Sequence, residues 1–360
     1  MRDARRSWVV ALMVACLGAC GGSEAPAASD GRDSPDGPGG GGRGGATTTG
    51  AGGQLGGGGA GGAACIPAPP VGSGWTVFDE GGNDYHAVWG RSPSEIWIVG
   101  DYRVVSFDGC AFTTRETGAG NYAVWPESDA SVWVGSGAEV RRVTGSSVES
   151  FSLSAVVLSG VTFPSGWSVA VGYPAAIATW DTEWHLQTQP AEETFGAVWG
   201  PTSSDFWIGG TPLMNDLTPS SSPKAALLHY VGGEGSPVAL PVDYERVHAI
   251  WGAADDDIHV ALSSYRIVHG NGTDWEVAFE HPTDSFRAVR SIHGTASDDA
   301  WAVGEEGMVA HYDGAAWKAS FLAPEIWLDS VWAAAPDDVW AVGRVSEPNG
   351  ATHGIVMRHR

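Results

Sequence analysis

A short pattern recurs seven times between residues 74 and 360, and it constrains the fold more than any other feature of the chain. Each copy begins with an apolar segment that ends in a pair of the Val-Trp type. The seven pairs are Val88-Trp89, Val124-Trp125, Thr162-Phe163, Val198-Trp199, Ile250-Trp251, Ile292-His293 and Val331-Trp332. They follow one another at intervals of 36 to 52 residues. A period of this length indicates stacked copies of one supersecondary unit.

Each copy also predicts four short strands. A second anchor follows the first by eight residues in six copies, at Trp97, Trp133, Trp207, His259, Trp301 and Trp340, whereas the third copy closes up to Val169. A third apolar segment follows, then a turn such as Asp313-Gly314, then a Trp that opens the fourth segment. Four strands in each of seven copies predict an all-β, seven-bladed β-propeller.

The two ends of the repeated region complement each other. The seventh copy ends at Gly354 to Arg360 as a third strand without a fourth, and Gly74 to Glu80 (GWTVFDE) precedes the first copy. Trp75 lies 14 residues before Trp89, much as Trp317 lies 15 before Trp332. We therefore expect the N-terminal strand to complete the last blade and close the ring.

The first twenty residues have the features of an export signal. Arg2, Arg5 and Arg6 precede an apolar run from Trp8 to Cys16, which is shorter than the roughly 20 residues that span a bilayer. Leu17 to Cys20 (LGAC) resembles the lipobox of exported bacterial lipoproteins. The resemblance implies cleavage before Cys20, acylation of Cys20 with palmitate or a similar chain, and anchoring in the outer membrane. The alternative is an ordinary secretory signal that contains Cys20.

The predicted domains are thus a signal peptide at 1–19, a lipidated cysteine and flexible linker at 20–64, and a propeller at 65–360. The linker is mostly Gly, Ala, Ser, Pro and Thr, so it has too little apolar surface to form a core. Of the four cysteines, Cys65 and Cys110 remain after processing. In an exported protein a Cys65–Cys110 disulfide is the simplest expectation, with two free thiols as the alternative.

The charge excludes one class of partner. The formal net charge is −23, and removing the three Arg and one Asp of the signal peptide (net +2) leaves −25, with two lysines in the whole chain. Such a chain repels nucleic acid. The sequence also contains no Cys-rich metal cluster, phosphate-binding loop or nucleophile elbow, so it predicts no cofactor and no metal.

The candidate site lies where the repeat varies. His229, His269 and His311 recur at one place in the third strand, which favours a structural role. Three residues before the first anchors, however, the side chains differ between copies: His86, Tyr122, Gly160, Gly196, His248, Arg290 and Asp329. This position either faces a ligand or lines a wet central channel, and the pattern does not decide between the two.

The loops between the second and third strands lie at the same edge of the predicted propeller. They supply Asp101, Tyr102, Arg103, Tyr173, Tyr265, Arg266, Glu305, Glu306 and Arg344. Together with the variable position they form a candidate ligand-binding rim, with Arg and Tyr available for hydrogen bonding and stacking.

The repeats resemble the Trp-rich propeller repeats (VWG, DVWAVG, HYDG) of exported bacterial proteins, and more distantly the Asp-box repeats of sialidases. Asp313-Gly314 lacks the residue that separates Asp from Gly in an Asp box. A sialidase-like mechanism would need three arginines, a Tyr–Glu pair and an acidic Asp. Those types are present at Arg103, Arg266, Arg290, Tyr102, Glu305 and Asp101.

The sequence therefore predicts a monomeric, membrane-anchored, non-catalytic propeller that binds a protein or a glycan at its rim. A sialidase-like glycoside hydrolase and a purely structural envelope component are the alternatives.

Overall fold

The computed structural model describes residues 74–188, 194–211, 226–243, 245–282 and 287–360. These residues form 28 strands, numbered in chain order, and one 3-10 turn at Glu305–Gly307. None of their helical segments is long and apolar enough to cross a membrane. The predicted signal peptide, Cys20, the linker and Cys65 lie outside the described residues.

The strands form seven antiparallel sheets of four strands each, which confirms the predicted seven-bladed propeller. The innermost strands are β2 (Tyr85–Ser92), β6 (Asn121–Ser128), β10 (Val156–Thr162), β14 (Phe195–Thr202), β18 (Val247–Ala254), β22 (Val289–Ala296) and β26 (Ile326–Ala335). Each of them contacts the innermost strands of both neighbouring blades, including β2 with β26. The ring is therefore closed.

The other three strands of each blade follow outward from the axis. The second strands are β3 (Glu95–Gly100), β7 (Ser131–Ser136), β11 (Ser168–Tyr173), β15 (Asp205–Gly210), β19 (Asp257–Leu262), β23 (Asp299–Gly304) and β27 (Asp338–Ser346). The third strands are β4 (Arg103–Phe107), β8 (Glu139–Thr144), β12 (Ala176–Trp180), β16 (Ala226–Val231), β20 (Arg266–Gly270), β24 (Met308–Tyr312) and β28 (Thr352–His359). The outermost strands are β5 (Phe112–Glu116), β9 (Ser147–Ser152), β13 (Trp184–Thr188), β17 (Glu234–Val238), β21 (Trp275–Glu280), β25 (Trp317–Phe321) and β1 (Trp75–Gly81).

The last blade contains both ends of the propeller, as predicted. β1 pairs antiparallel with β28, with Trp75 opposite His359 and Gly81 opposite Gly354. Trp75 takes the place of a fourth-strand Trp and packs edge-on against Trp301 of the preceding blade. The N-terminal strand thus supplies main-chain hydrogen bonds and one core aromatic to the closure.

The core lies between adjacent sheets, and the repeated aromatic residues fill it. Trp133, Trp207 and Trp340 of the second strands are at most 2 % exposed. Burying an aromatic ring removes about 150–250 Å² from water, so these anchors account for much of the interior. The predicted scaffold role of the repeated tryptophans is confirmed.

The glycine that follows several first anchors makes room for the neighbouring blade. A Cβ at Gly90 would lie 2.6 Å from the indole of Trp332, and one at Gly294 would lie 2.5 Å from that of Trp251. The Trp-Gly pair therefore works between blades, since the Trp of one blade packs on the Gly of the next.

The two ends of the propeller axis carry different segments, and we call them the rim and the turn face. The rim carries the starts of the innermost strands, the loops between second and third strands, and the connections that enter each blade. The turn face carries the turns between first and second strands and between third and fourth strands.

Candidate functional site

Every innermost strand has a β-bulge close to the rim, which leaves one residue without a partner in the ladder. A bulge re-aims a side chain at the place where it interrupts a strand. We call these seven residues the bulge ring: His86, Tyr122, Leu158, Gly196, His248, Arg290 and Asp329. Six of them are those predicted from the sequence.

The prediction was wrong in the third blade, where the ring residue is Leu158 rather than Gly160. Val161 there pairs with Val169, as Trp89 pairs with Trp97 in the first blade. The first anchor of this blade is therefore Val161 and not Phe163, and the copy is displaced by two residues. Gly160 lies against the indole of Trp125, from which a Cβ would be 2.4 Å away.

A glycine at the end of the second strand permits the bulge in five blades. A Cβ at Gly100 would lie 2.1 Å from the carbonyl oxygen of Asp84, two residues before the ring residue His86. The same close approach recurs at Gly172, Gly210, Gly304 and Gly343. The repeated Val-Gly at the end of the second strand thus helps to set the direction of the ring residue.

The bulge ring surrounds the mouth of a central cavity of about 400 Å³. All seven innermost strands line this cavity. Its volume is suited to one or a few side chains or to a small ligand.

In four blades the ring residue hydrogen-bonds the residue fifteen positions later, in the loop between the second and third strands. His86 bonds Asp101 at 3.0 Å, His248 bonds the hydroxyl of Ser263 at 3.2 Å, and Arg290 donates to Glu305 at 3.0 Å. In the seventh blade Arg344 donates to Asp329 at 2.7 Å. Three of these four pairs join the two predicted groups of rim residues, and the partner of His248, Ser263, was not predicted.

The other three blades have no charge at these two places. Tyr122, Leu158 and Gly196 are followed fifteen residues later by Gly137, Tyr173 and Thr211. Tyr173 is 49 % exposed, and Tyr122 lies with its ring 5.5 Å from that of His86. The mouth thus has a charged side in blades 6, 7 and 1, with the His248–Ser263 pair of blade 5 at its edge, and a neutral side in blades 2, 3 and 4.

Burial and partners set the protonation of the charged side. The hydrogen bond from His86 is the main reason that the pKa of Asp101 is lowered. Burial raises the pKa of Asp329 although Arg344 opposes it. Burial, together with Arg246 and Arg290, holds the pKa of His248 well below its usual value, so this imidazole is neutral at pH 7.

Two predicted rim residues are structural. Arg103 is 8 % exposed, lies over the ring of Tyr85 and donates to the carbonyl oxygen of Asn83 at 2.9 Å. Tyr265 is 2 % exposed and donates its hydroxyl to the carbonyl oxygen of Glu305 at 3.1 Å. Both side chains thus hold rim loops in place, although the buried Nε of Arg103 has no hydrogen-bond partner.

The remaining predicted residues lie further out on the rim. Tyr102 is 44 % exposed and adopts a left-handed backbone with φ of 62°. Arg266 bridges Glu245 at 2.6 Å and Glu280 at 2.5 Å, and Arg287 pairs with Glu306 at 2.8 Å. Of the twelve arginines from residue 74 onward, six lie on the rim: Arg103, Arg246, Arg266, Arg287, Arg290 and Arg344.

Arg246 is, with Leu158, Ser263 and Arg287, a rim residue that the repeat pattern did not predict. It lies in the connection that enters the fifth blade, and a Cβ on Gly196 of the ring would be 3.6 Å from its Nη2. Its Nε is buried and has no hydrogen-bond partner. Burial and the charge of Arg290 lower its pKa. Among the described residues no carboxylate compensates this guanidinium.

The sialidase-like constellation does not assemble. Arg103 binds a main-chain carbonyl, Arg266 binds two glutamates and Arg290 binds Glu305, so each of the three arginines has a different structural partner. Within the described residues they do not converge as a three-arginine carboxylate clamp.

On the turn face the third-strand histidines bind the aspartates of the adjacent turns. His229 bonds Asp205 at 2.6 Å, His269 bonds Asp257 at 2.7 Å and His311 bonds Asp299 at 2.8 Å. Each imidazole also stacks on the second-strand anchor beside it: Trp207, His259 and Trp301, respectively. The contacts agree with the structural role predicted for His229 and His311.

Comparison with known proteins supports the propeller fold. No protein-family model matches the chain, and no curated protein matches it. Among solved structures it is similar to YCF48 bound to a D1 peptide, with a TM-score of 0.60 at 14 % identity, covering 82 % of this chain and 98 % of that one.

Two further propellers match a similar share of the chain. Virginiamycin B lyase from Staphylococcus aureus has a TM-score of 0.63 at 11 % identity, covering 78 % of this chain and 98 % of that one. The WD40 propeller domain of Doa1 has a TM-score of 0.60 at 14 % identity, covering 79 % of this chain and 97 % of that one. At such identities the shared property is the propeller fold.

Proposed function

We propose that this chain is a non-catalytic binding propeller, anchored to the outer membrane through lipid on Cys20, which binds a carboxylate-bearing segment of a protein partner at its rim. The observation that carries the proposal is Arg246. Its Nε is buried without a partner beside the cavity mouth, and Arg290 adds a second positive group. A buried charge without a counter-ion is costly, so a ligand that supplies one gains affinity there.

The charged side of the mouth selects against other ligands. Asp101, Asp329 and Glu305 already have partners from this chain, so the unmet demand is for an anion and not for a cation. A carboxylate fits the planar guanidinium with two hydrogen bonds. The net charge of −23 repels acidic partners at long range, so we expect a local acidic or C-terminal group rather than a strongly acidic protein.

The neutral side supplies the second half of the contact. Tyr122, Leu158 and Tyr173 offer aromatic and apolar surface next to the charged blades. Aromatic side chains of this kind are enriched at protein interfaces. YCF48, a propeller of similar fold, was solved with a D1 peptide bound, which supports a peptide-binding role for such a scaffold.

Site-specific photo-crosslinking in intact cells tests the proposal. A photoreactive amino acid replaces Tyr173 on the rim in one strain, and Val231, 55 % exposed on the turn face, in a control strain. We expect a discrete protein adduct from position 173 only, and its loss when Arg246→Gln is added. Adducts that persist with Arg246→Gln, or that form equally from position 231, would contradict the rim site.

Glycan binding and turnover are measured in parallel on the purified chain. Saturable binding on a glycan array that depends on Arg246 would show that the ligand is a glycan and not a protein. Hydrolysis of fluorogenic glycosides would replace binding by catalysis. We expect neither.

Two covalent features have their own tests. Cys20→Ala should move the chain from the membrane fraction to the soluble envelope fraction, and unchanged membrane recovery would contradict the anchor. The Cys65–Cys110 disulfide remains a prediction because Cys65 lies outside the described residues. Reduction should raise the intact mass by that of two hydrogen atoms, and an unchanged mass would exclude the bond.

A further inference from the structure

The fifth blade departs from the repeat on the turn face. Its second-strand anchor is His259, where five other blades have Trp and one has Val169. His259 lies directly opposite His269 of the third strand, and Asp257 begins the same second strand. Three residues that ligate metals therefore meet at one end of this blade.

Their ligand atoms are close together. Asp257 Oδ1 lies 2.7 Å from His269 Nε2 and 3.5 Å from His259 Nε2. The two imidazole rings stack in parallel with their centroids 4.2 Å apart. All three ligand atoms fit within 4.8 Å of one another.

The ring nitrogens of His259 make no hydrogen bond. The residue is fully buried, and neither Nδ1 nor Nε2 has a hydrogen-bond partner. Buried polar groups in folded proteins nearly always have partners, so this ring is an exception that needs a cause. Its Nε2 is directed toward the carboxylate of Asp257, at a distance longer than a hydrogen bond.

We propose that Asp257, His259 and His269 form a binding site for a divalent transition metal ion of the Zn²⁺ type. Two imidazoles and one carboxylate form a ligand set that suits Zn²⁺ and disfavours Ca²⁺ and Mg²⁺, which prefer oxygen. At metal–ligand distances of about 2.0–2.2 Å, tetrahedral ligands lie roughly 3.4 Å apart. The 3.5 Å contact already has this length, and the 2.7 Å contact has to open slightly. The lone pairs of the two stacked imidazoles lie in parallel ring planes, so the partly exposed ring of His269 has to tilt before both Nε2 atoms face one ion.

The surroundings give a cation access to the site. His269 also lines a pocket of about 350 Å³ that contains Asp256, Asp274 and Glu276. Acidic side chains at the entrance raise the local concentration of cations. Solvent in the pocket can supply the fourth ligand, so the protein itself provides three.

Two neighbouring blades provide matched controls. The fourth and sixth blades have the same Asp–His pair, Asp205–His229 and Asp299–His311, but their anchors are Trp207 and Trp301. They lack the second imidazole and are not expected to hold a metal tightly. His259→Trp converts the fifth blade into this metal-free form with a residue that the fold already accepts elsewhere.

The test is titration calorimetry with Zn²⁺ on the full-length chain, stripped of metal and purified with an affinity tag that has no histidine. We expect one Zn²⁺ per chain, with binding that persists in excess Mg²⁺. His259→Trp should weaken binding by more than the roughly 100-fold that an outer-sphere change costs, whereas His311→Ala should leave it unchanged. Binding of equal strength in His259→Trp, or displacement by Mg²⁺, would mean adventitious binding to the acidic surface and overturn the site.

A spectroscopic readout keeps the proposal testable if His259→Trp fails to fold. In ¹⁵N-histidine-labelled wild-type chain, Zn²⁺ should shift the Nε2 resonances of two histidines only. Those two should be the ones affected by Asp257→Asn. Shifts at His229 or His311, or shifts spread over many histidines, would reject the assignment.

Discussion

The rim and the turn face are built from the same seven sheets, yet they differ in how faithfully they repeat. On the turn face, three successive blades place a histidine against a turn aspartate and stack it on an aromatic anchor, and the seventh substitutes Arg358 and Asp338. At the rim, the bulge ring carries His, Tyr, Leu, Gly, Arg and Asp at one and the same backbone position.

The difference shows how this fold separates stability from recognition. The bulge and the glycine opposite it determine where a ring side chain lies, without depending on what that side chain is. The rim is therefore free to vary, while four of the seven blades on the turn face pair a third-strand His or Arg with a turn aspartate in the same way. We expect changes on the turn face to cost stability and changes at the ring to cost binding.

Removing the closing strand should have the largest effect on stability, because it opens the ring and so disrupts both the rim and the turn face. Deletion of Gly74 to Glu80 removes the β1 ladder and the packing of Trp75 on Trp301. We expect the melting temperature to fall by on the order of 10 °C or more and the transition to broaden. Scanning calorimetry measures both, and an unchanged, cooperative transition would contradict closure by β1.

Most of this architecture could be predicted from the sequence, for a physical reason. The aromatic anchors, the Trp-Gly contacts and the turn aspartates are local and periodic, so seven copies reveal the blades. The missing fourth strand of the last copy likewise identifies β1 as its completion.

The site could be predicted only in part. Six ring residues follow from their distance to the anchor, but the anchor of the third blade is Val161, so the count from Phe163 missed Leu158. Arg246 lies in a connection with no repeat rule, and only the fold shows that it reaches Gly196. The burial of Tyr265 depends on a hydrogen bond to the next blade, which no spacing reveals.

The second prediction compares one carboxylate from each face. Arg358 donates two hydrogen bonds of 2.6 Å to Asp338, and both side chains are at most 6 % exposed. Asp338→Asn removes the counter-charge of a buried arginine, so we expect the free energy of unfolding to fall by about 3 kcal/mol. Urea unfolding measures this loss.

The matched change at the rim is Asp329→Asn. Burial raises the pKa of Asp329, so its ionised form is disfavoured in the folded state despite Arg344. We therefore expect a smaller loss of stability than for Asp338→Asn, because the charge that is removed is already disfavoured by burial. Equal losses at the two positions would contradict the division between the faces.

A buried histidine, His293, should make the stability of the propeller depend on pH. His293 takes the anchor position of the sixth blade and accepts a hydrogen bond from the amide of Ala333 at 3.2 Å. Burial lowers its pKa to about 4. The folded state therefore binds this proton less readily than the unfolded state, in which a histidine titrates near 6.5.

The contribution of neutral His293 to the free energy of unfolding is thus fully present above pH 6.5, and it is lost as the pH falls from 6.5 toward 4. We expect a loss of about 3 kcal/mol from this residue across that window. His293→Trp restores the anchor of the other blades and should flatten the profile there. The pH dependence of urea unfolding tests this, and identical profiles would show that His293 does not titrate as a buried group.

The smallest effect on stability is expected at Arg246, although its effect on binding should be large. Because its buried Nε has no partner, Arg246→Gln removes an uncompensated charge, and the melting temperature should stay the same or rise slightly. Arg290→Gln is the contrast, since it leaves the buried carboxylate of Glu305 with only the longer 3.8 Å contact to Arg287 and should cost about 1–3 kcal/mol. If Arg246→Gln instead destabilised the chain as much as Arg290→Gln, Arg246 would be part of the scaffold. The ring would then have no unmet positive charge with which to bind a ligand.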